Sequence, residues 1–135
     1  MAKILVIDDN IDICQLLDRF LTKKGYDVET TISGKNGLDM VKKTFFDLIF
    51  CDFKLRDMEG RDVLMKVREI SPGTQVAIIT GYADVKIAVE VIKNGAFDYV
   101  TKPLIPDEII NLIERALSAS KASKSNTQTF TKATQ

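Results

Sequence analysis

Phe46-Asp47-Leu48-Ile49-Phe50-Cys51-Asp52 is the stretch whose reading decides the fold. Leu48 to Cys51 is a continuous apolar run bounded by acids, which reads as a strand buried on both faces in the middle of a parallel sheet. Asp52 then stands at the strand's exit. In an open α/β sheet the carboxyl ends of the strands face the ligand crevice, so a lone acid there is placed for chemistry as readily as for a turn. What decides between the two is the set of residues at the other strand exits.

Working outward, Ile4-Leu5-Val6-Ile7 is a second β-branched run, closed by Asp8-Asp9-Asn10. From Ile11 the period becomes helical, with Ile13, Leu16, Leu17, Phe20 and Leu21 expected inward, Asn10 as N-cap and Gly25 as the stop. Tyr26 to Thr31 alternates more sharply and is expected nearer a sheet edge. Ser33 or Gly34 opens a short helix to about Lys43, with Leu38 and Val41 in the core. After Asp52 comes a polar loop, Phe53 to Glu59, then a helix from Gly60 to Ile70 with Val63, Leu64, Val67 and Ile70 inward, ended by Ser71-Pro72-Gly73. Gln75 to Ile79 is a fourth strand exiting through Thr80-Gly81, Asp84 is expected to cap a helix to Lys93, and Ala96 to Val100 is a fifth strand exiting through Thr101-Lys102-Pro103.

The last helix begins near Pro106, with Asp107 and Glu108 in its first turn and Ile109, Ile110, Ile113, Ala116 and Leu117 as its apolar face. Residues 1–118 thus form one domain. Residues 119–135, rich in Ser, Thr, Lys and Ala, read as a flexible tail or the start of an interdomain linker. The fold class is α/β, a five-stranded doubly wound parallel sheet with five helices, flavodoxin-like in architecture.

Composition narrows the chemistry. Lys plus Arg and Asp plus Glu balance at 19 each in 135 residues, so no global basic field exists to hold nucleic acid. Cys14 and Cys51 fall in a helix and a buried strand without metal spacing and read as reduced core thiols, which fits the cytoplasm. No apolar run reaches membrane-spanning length. Histidine is absent, which removes the commonest general base and zinc ligand.

Aligned by strand, the exits carry Asp8 and Asp9, Asp52, Thr80 and Lys102, all opening on one edge. Three carboxylates brought together repel and titrate high unless a cation neutralises them, and an oxygen-rich acidic cluster suits Mg²⁺ (or Mn²⁺). Lys102 adds a positive charge and Thr80 a hydroxyl, which completes the parts that phosphoryl transfer requires.

Over roughly Lys3 to Ala119 the sequence resembles the receiver domain of two-component response regulators. Val6-Ile7-Asp8-Asp9, Cys51-Asp52, Thr80-Gly81, Gly95-Ala96-Phe97-Asp98-Tyr99 and Lys102-Pro103 carry the resemblance in family order and spacing. It implies that Asp52 is the phosphoacceptor, that Asp8, Asp9, Asp52 and the backbone carbonyl of Lys54 hold Mg²⁺, and that Thr80 and Lys102 contact phosphoryl oxygens. It also implies Tyr99 as an aromatic switch and a cis bond before Pro103. Since the chain has no His, the donor would be a phosphohistidine on a sensor histidine kinase or phosphotransfer protein. The chain would be a signalling switch with slow autodephosphorylation, not an enzyme with an external substrate.

Gly81-Tyr82-Ala83-Asp84 and Gly95 to Pro103 look most like receivers of nitrogen-regulatory-type transcriptional activators, so transcription is the expected output. Dimerisation through the face of the fourth helix, fifth strand and fifth helix is expected from the same resemblance, with neither nucleic acid nor membrane contacted by this domain. Three alternatives compete. A flavodoxin-like electron carrier would need a phosphate-cradling Ser/Thr/Gly loop where Asp8-Asp9 stand. A haloacid-dehalogenase-type phosphatase would need a D-x-D pair where Asp8-Asp9-Asn10 stands. A pseudo-receiver would bind partners without being phosphorylated.

Overall fold

A computed structural model describes residues 1–81 and 85–134, with side chains of the final helix as far as Ser120. Strands β1 (Lys3–Ile7), β2 (Asp27–Thr31), β3 (Leu48–Asp52), β4 (Gln75–Thr80) and β5 (Asp98–Thr101) alternate with helices α1 (Ile11–Lys23), α2 (Gly34–Lys43), α3 (Gly60–Ile70), α4 (Val85–Lys93) and α5 (Pro106–Thr134). All strand pairs are parallel and the order is β2-β1-β3-β4-β5. The alternating β2 is an edge strand, as its pattern predicts, and every residue of the apolar β3 is buried.

The period of two in the strands sorts their side chains into two cores. Leu5, Ile7, Ile49, Cys51, Val76 and Ile78 meet Leu38 and Val41 of α2, Val63, Leu64 and Val67 of α3, and Val91 of α4. Ile4, Val6, Leu48, Phe50, Ala77 and Ile79 meet Cys14, Leu17 and Leu21 of α1 and Ile109, Leu112, Ile113 and Ala116 of α5. Both cysteines are free and buried.

Local signals set most boundaries. The Asn10 side chain accepts the Asp12 N–H at 2.9 Å and caps α1, and Gly25, with φ +96°, takes the chain out of it. Ser33 caps α2 by accepting the Asn36 N–H at 3.2 Å. Asp84, the expected cap of α4, lies outside the described residues.

Five expectations are corrected, four of them on helix faces and a strand start. Leu16 is 54% exposed: the buried face of α1 is centred on Cys14, Leu17 and Leu21, with Ile13 and Phe20 half-buried beside it, and Leu16 falls outside that stripe. Ile70 is 38% exposed because it is the last residue of α3, beside the groove toward α2. The buried stripe of α5 includes Leu112, while Ile110 and Leu117 are its half-buried flanks. β5 spans Asp98–Thr101, two residues later than the apolar run suggests, since Ala96 and Phe97 lead into the strand.

α5 continues to Thr134 instead of ending at Ser118, because 119–134 contains neither Gly nor Pro to stop it. The side chains of 121–135, most of the expected tail, lie outside the described residues. Among the described residues no helix is long and apolar enough to cross a membrane.

Candidate functional site

The strand register delivers the site residues to one edge. Ile7 is level with Cys51, so Asp8 and Asp52 follow at the same height on neighbouring strands. Thr80 pairs with Thr101 at the end of β4, and the Lys102 N–H donates to the Thr80 carbonyl at 2.8 Å. Residues far apart in sequence thereby become neighbours at the position where the chain order of the sheet reverses.

One carboxylate oxygen each from Asp8, Asp9 and Asp52 lies within 4.8 Å of the others. Asp8 is fully buried, and the Asp52 side chain is 11% exposed. Lys102 Nζ stands 3.4 Å from Asp8 Oδ2 and 3.8 Å from Asp52 Oδ2. One ammonium thus faces two of the three clustered carboxylates. Burial, and after it the Asp8 charge, push Asp52 up to about 6, against the pull of Lys102. Burial also raises Asp8, partly offset by the Asn10 N–H that its Oδ1 accepts at 2.9 Å and by Lys102.

The donor set fits a hard divalent cation. Asp8 Oδ2 is buried without a hydrogen-bond partner, its Lys102 contact being an ion pair outside hydrogen-bond alignment. A buried acceptor left in that state is costly. The crowded charge and this orphaned oxygen are both relieved by an oxygen-seeking ion, and Asp8, Asp9 and Asp52 are the residues that could hold it.

The floor under Asp52 is built by close backbone contact. A Cβ on Gly60 would come within 2.3 Å of the Asp52 carbonyl oxygen and 2.8 Å of Phe53 Cα, so α3 begins directly against the chain leaving β3. The Gly60 N–H donates to the Phe53 carbonyl at 2.7 Å, and the Phe53 N–H to the Ile79 carbonyl at 2.7 Å. The backbone of Lys54 hydrogen-bonds Asp52, and Lys54 bridges to Glu59.

Thr80 is buried at the strand end, and Tyr99, level with Ile78, packs half-buried on the α2–α3–α4 side. The Lys102–Pro103 bond is cis. The structure therefore brings Asp8, Asp9, Asp52 and Lys102 together and places Thr80 on the same edge. Tyr99 sits lower, in the wall of the α4 side.

Residues 4–114 match the response regulator receiver domain. The chain belongs to that family. The receiver is 39% identical over 115 residues to the transcriptional regulatory protein ZraR of Escherichia coli K12, an alignment covering 85% of this chain and 26% of that protein. It thus spans about a quarter of that relative's length. Among solved structures it is similar to a CheY-like receiver domain protein from Methanospirillum hungatei, with TM-score 0.87, 32% identity, and coverage of 91% of this chain and 98% of that one. It is also similar to the beryllofluoride-activated NtrC4 receiver domain dimer, with TM-score 0.85, 30% identity, and coverage of 89% and 99%. Relatives that are transcriptional regulators agree with the expected nearness to nitrogen-regulatory-type receivers. Membership also disposes of the electron-carrier and phosphatase readings.

One residue of the neighbourhood escapes the sequence reading. Asp57, in the loop after β3, accepts hydrogen bonds from the start of α2, 22 to 24 residues earlier in the chain. In sequence it is one acid among the polar residues of a loop, and only the possibility of capping a distant helix could have marked it.

Proposed function

We propose that this receiver accepts a phosphoryl group on Asp52 from a phosphohistidine of a sensor histidine kinase or phosphotransfer protein, in a Mg²⁺-dependent reaction in the cytoplasm, and thereby switches a transcriptional output. The observation that carries the reading is the Asp52 carboxylate, buried at the end of the central strand beside Asp8, Asp9 and Lys102. An Asp52 oxygen attacks phosphorus, a P–O bond forms as the P–N bond to imidazole breaks, and the imidazole departs with its electron pair. Mg²⁺, held by Asp8, Asp9, Asp52 and the Lys54 carbonyl, would supply neutralisation of charge on the phosphoryl oxygens.

The chain's own groups do the rest. Lys102, already paired with two of the acids, offsets charge as it develops, and the buried Thr80 hydroxyl is a donor at the same edge. A phosphoryl group adds roughly 1.5 to 2 negative charges, by analogy with phosphoesters. Drawing Thr80 toward it opens space beside β4 into which Tyr99 turns, reshaping the face of α4, β5 and α5. Val89 and Ile92 of α4 and Ile105 before α5 are exposed apolar residues of that face, which suits a homodimer. Residues 119–135, which include the later part of α5, then serve as the start of a linker to an output domain.

The test is intact mass after incubation with acetyl phosphate, with and without Mg²⁺, on the wild type and Asp52→Asn. One Mg²⁺-dependent phosphoryl adduct, absent from the mutant, is expected. An adduct that survives the mutation refutes Asp52 as acceptor, and no adduct under any condition makes the chain a pseudo-receiver. For the dimer, sedimentation velocity with and without beryllofluoride is decisive: an unchanged coefficient removes it.

A further inference from the structure

Asp57 holds the loop between β3 and α3 to the start of α2 through both of its oxygens. Its Oδ1 accepts the Gly34 N–H at 3.0 Å; its Oδ2 accepts the Lys35 N–H at 3.0 Å and the Ser33 hydroxyl at 3.0 Å. Ser33 caps α2 already, through the Asn36 N–H. Asp57 therefore does more than a cap requires: coming from another part of the chain, it works as a cross-link. The three donors, the Lys35 N–H foremost, hold its carboxyl below the usual carboxylate range against the opposing effect of burial.

The contact around it is close. A Cβ on Gly34 would meet Met58 Cγ at 2.5 Å and Leu55 Cδ1 at 3.2 Å, so the loop lies directly on the glycine that opens α2. At its base the same loop is closed by the Gly60–Phe53 and Leu55–Met58 backbone bonds. Between this base and the tie at Asp57 lies Lys54, which touches Asp52 through its backbone. A short segment fixed at both ends has little freedom left in its middle.

We infer that Asp57 is a positioning residue for the metal site: its tie to Ser33, Gly34 and Lys35 sets the course of the loop that carries Lys54 past Asp52, and so sets Mg²⁺ affinity. The inference rests on the proposed Mg²⁺-dependent phosphoacceptor reading. Residues that fix a ligand's orientation from behind typically change metal affinity by about ten- to a hundredfold when lost.

The experiment follows the Asp9 and Lys54 amides by NMR during Mg²⁺ titration of the full chain, for wild type, Asp57→Ala, Asp57→Asn and Ser33→Ala. Each titration is paired with thermal unfolding. Asp57→Ala should raise the Mg²⁺ dissociation constant about tenfold. Asp57→Asn, which keeps one carbonyl acceptor, and Ser33→Ala, which removes one donor, should each give a smaller rise and serve if Asp57→Ala does not fold. Phosphorylation by acetyl phosphate should return to the wild-type rate in Asp57→Asn at saturating Mg²⁺. Thr74→Ala, at the opposite end of the sheet, controls for lost stability and should leave the constant unchanged. A lowered melting temperature with unchanged Mg²⁺ affinity in the Asp57 variants shows a cap and nothing more, and overturns the inference alone. A wild type that binds no Mg²⁺ overturns it together with the reading on which it rests.

Discussion

Asp52→Asn should stabilise the metal-free protein, and by an amount that grows with pH. The Asp52 carboxyl titrates at about 6 in the folded chain, against 3.8 for an ordinary aspartate. Between those values the folded state holds a proton that the unfolded state has released, so stability falls as pH rises and the loss is complete above about 6. The difference of about 2 pH units corresponds to about 3 kcal/mol. Asparagine carries no charge at any pH and escapes this cost. The mutant's advantage should therefore be small at pH 4.5 and reach about 3 kcal/mol at pH 7.5, on the order of 10 °C in Tm. Urea unfolding of both proteins across that range, with chelator present, reads the effect. Curves that keep a constant separation from pH 4.5 to 7.5 would show that Asp52 is not destabilised by its surroundings and would sink the argument.

Other perturbations have equally definite outcomes. Gly60→Ala sets a methyl group 2.3 Å from the Asp52 carbonyl oxygen, where only backbone can yield, and should cost about 1–3 kcal/mol in urea unfolding while slowing phosphorylation. Lys102→Met removes the cation 3.8 Å from Asp52, so the Asp52 titration followed by carboxyl ¹³C shifts without metal should move above its wild-type midpoint; a midpoint that stays or falls contradicts the ion pairing. Thr74 is buried and its hydroxyl donates to the Phe46 carbonyl at 2.7 Å, so Thr74→Ala should destabilise by about 1–3 kcal/mol with phosphorylation by acetyl phosphate unchanged.

The sequence is most legible where one physical demand dominates. Leu48 to Cys51 can be little other than a strand buried on both faces, and the acids after Ile7 and Cys51 mark exits because charge ends an apolar run. Register, and with it the meeting of Asp8, Asp52 and Lys102, follows from parallel pairing once the order of the strands is known. Helix faces are less legible at their flanks. Leu16 and Ile70 are apolar but lie outside the buried stripes, while Cys14 and Leu112 are buried without standing out from their neighbours. Asp57 is hidden for another reason: two of its three partners are backbone N–H groups that every sequence supplies, and the third, the Ser33 hydroxyl, already reads as the cap of α2.

The strand order also divides the molecule by how easily its parts open. β1 and β3 are hydrogen-bonded to a neighbour on each side, whereas β5 has β4 alone. Amides of β1 and β3 should exchange with deuterium only when the whole domain unfolds, and those of β5 through local openings of lower free energy. Asp52, the proposed nucleophile, is thus carried on an interior strand, and Tyr99 on one of the two edge strands. If Asp52 and Tyr99 act as proposed, the signalling rim can rearrange many times while the chemistry beneath it keeps its geometry.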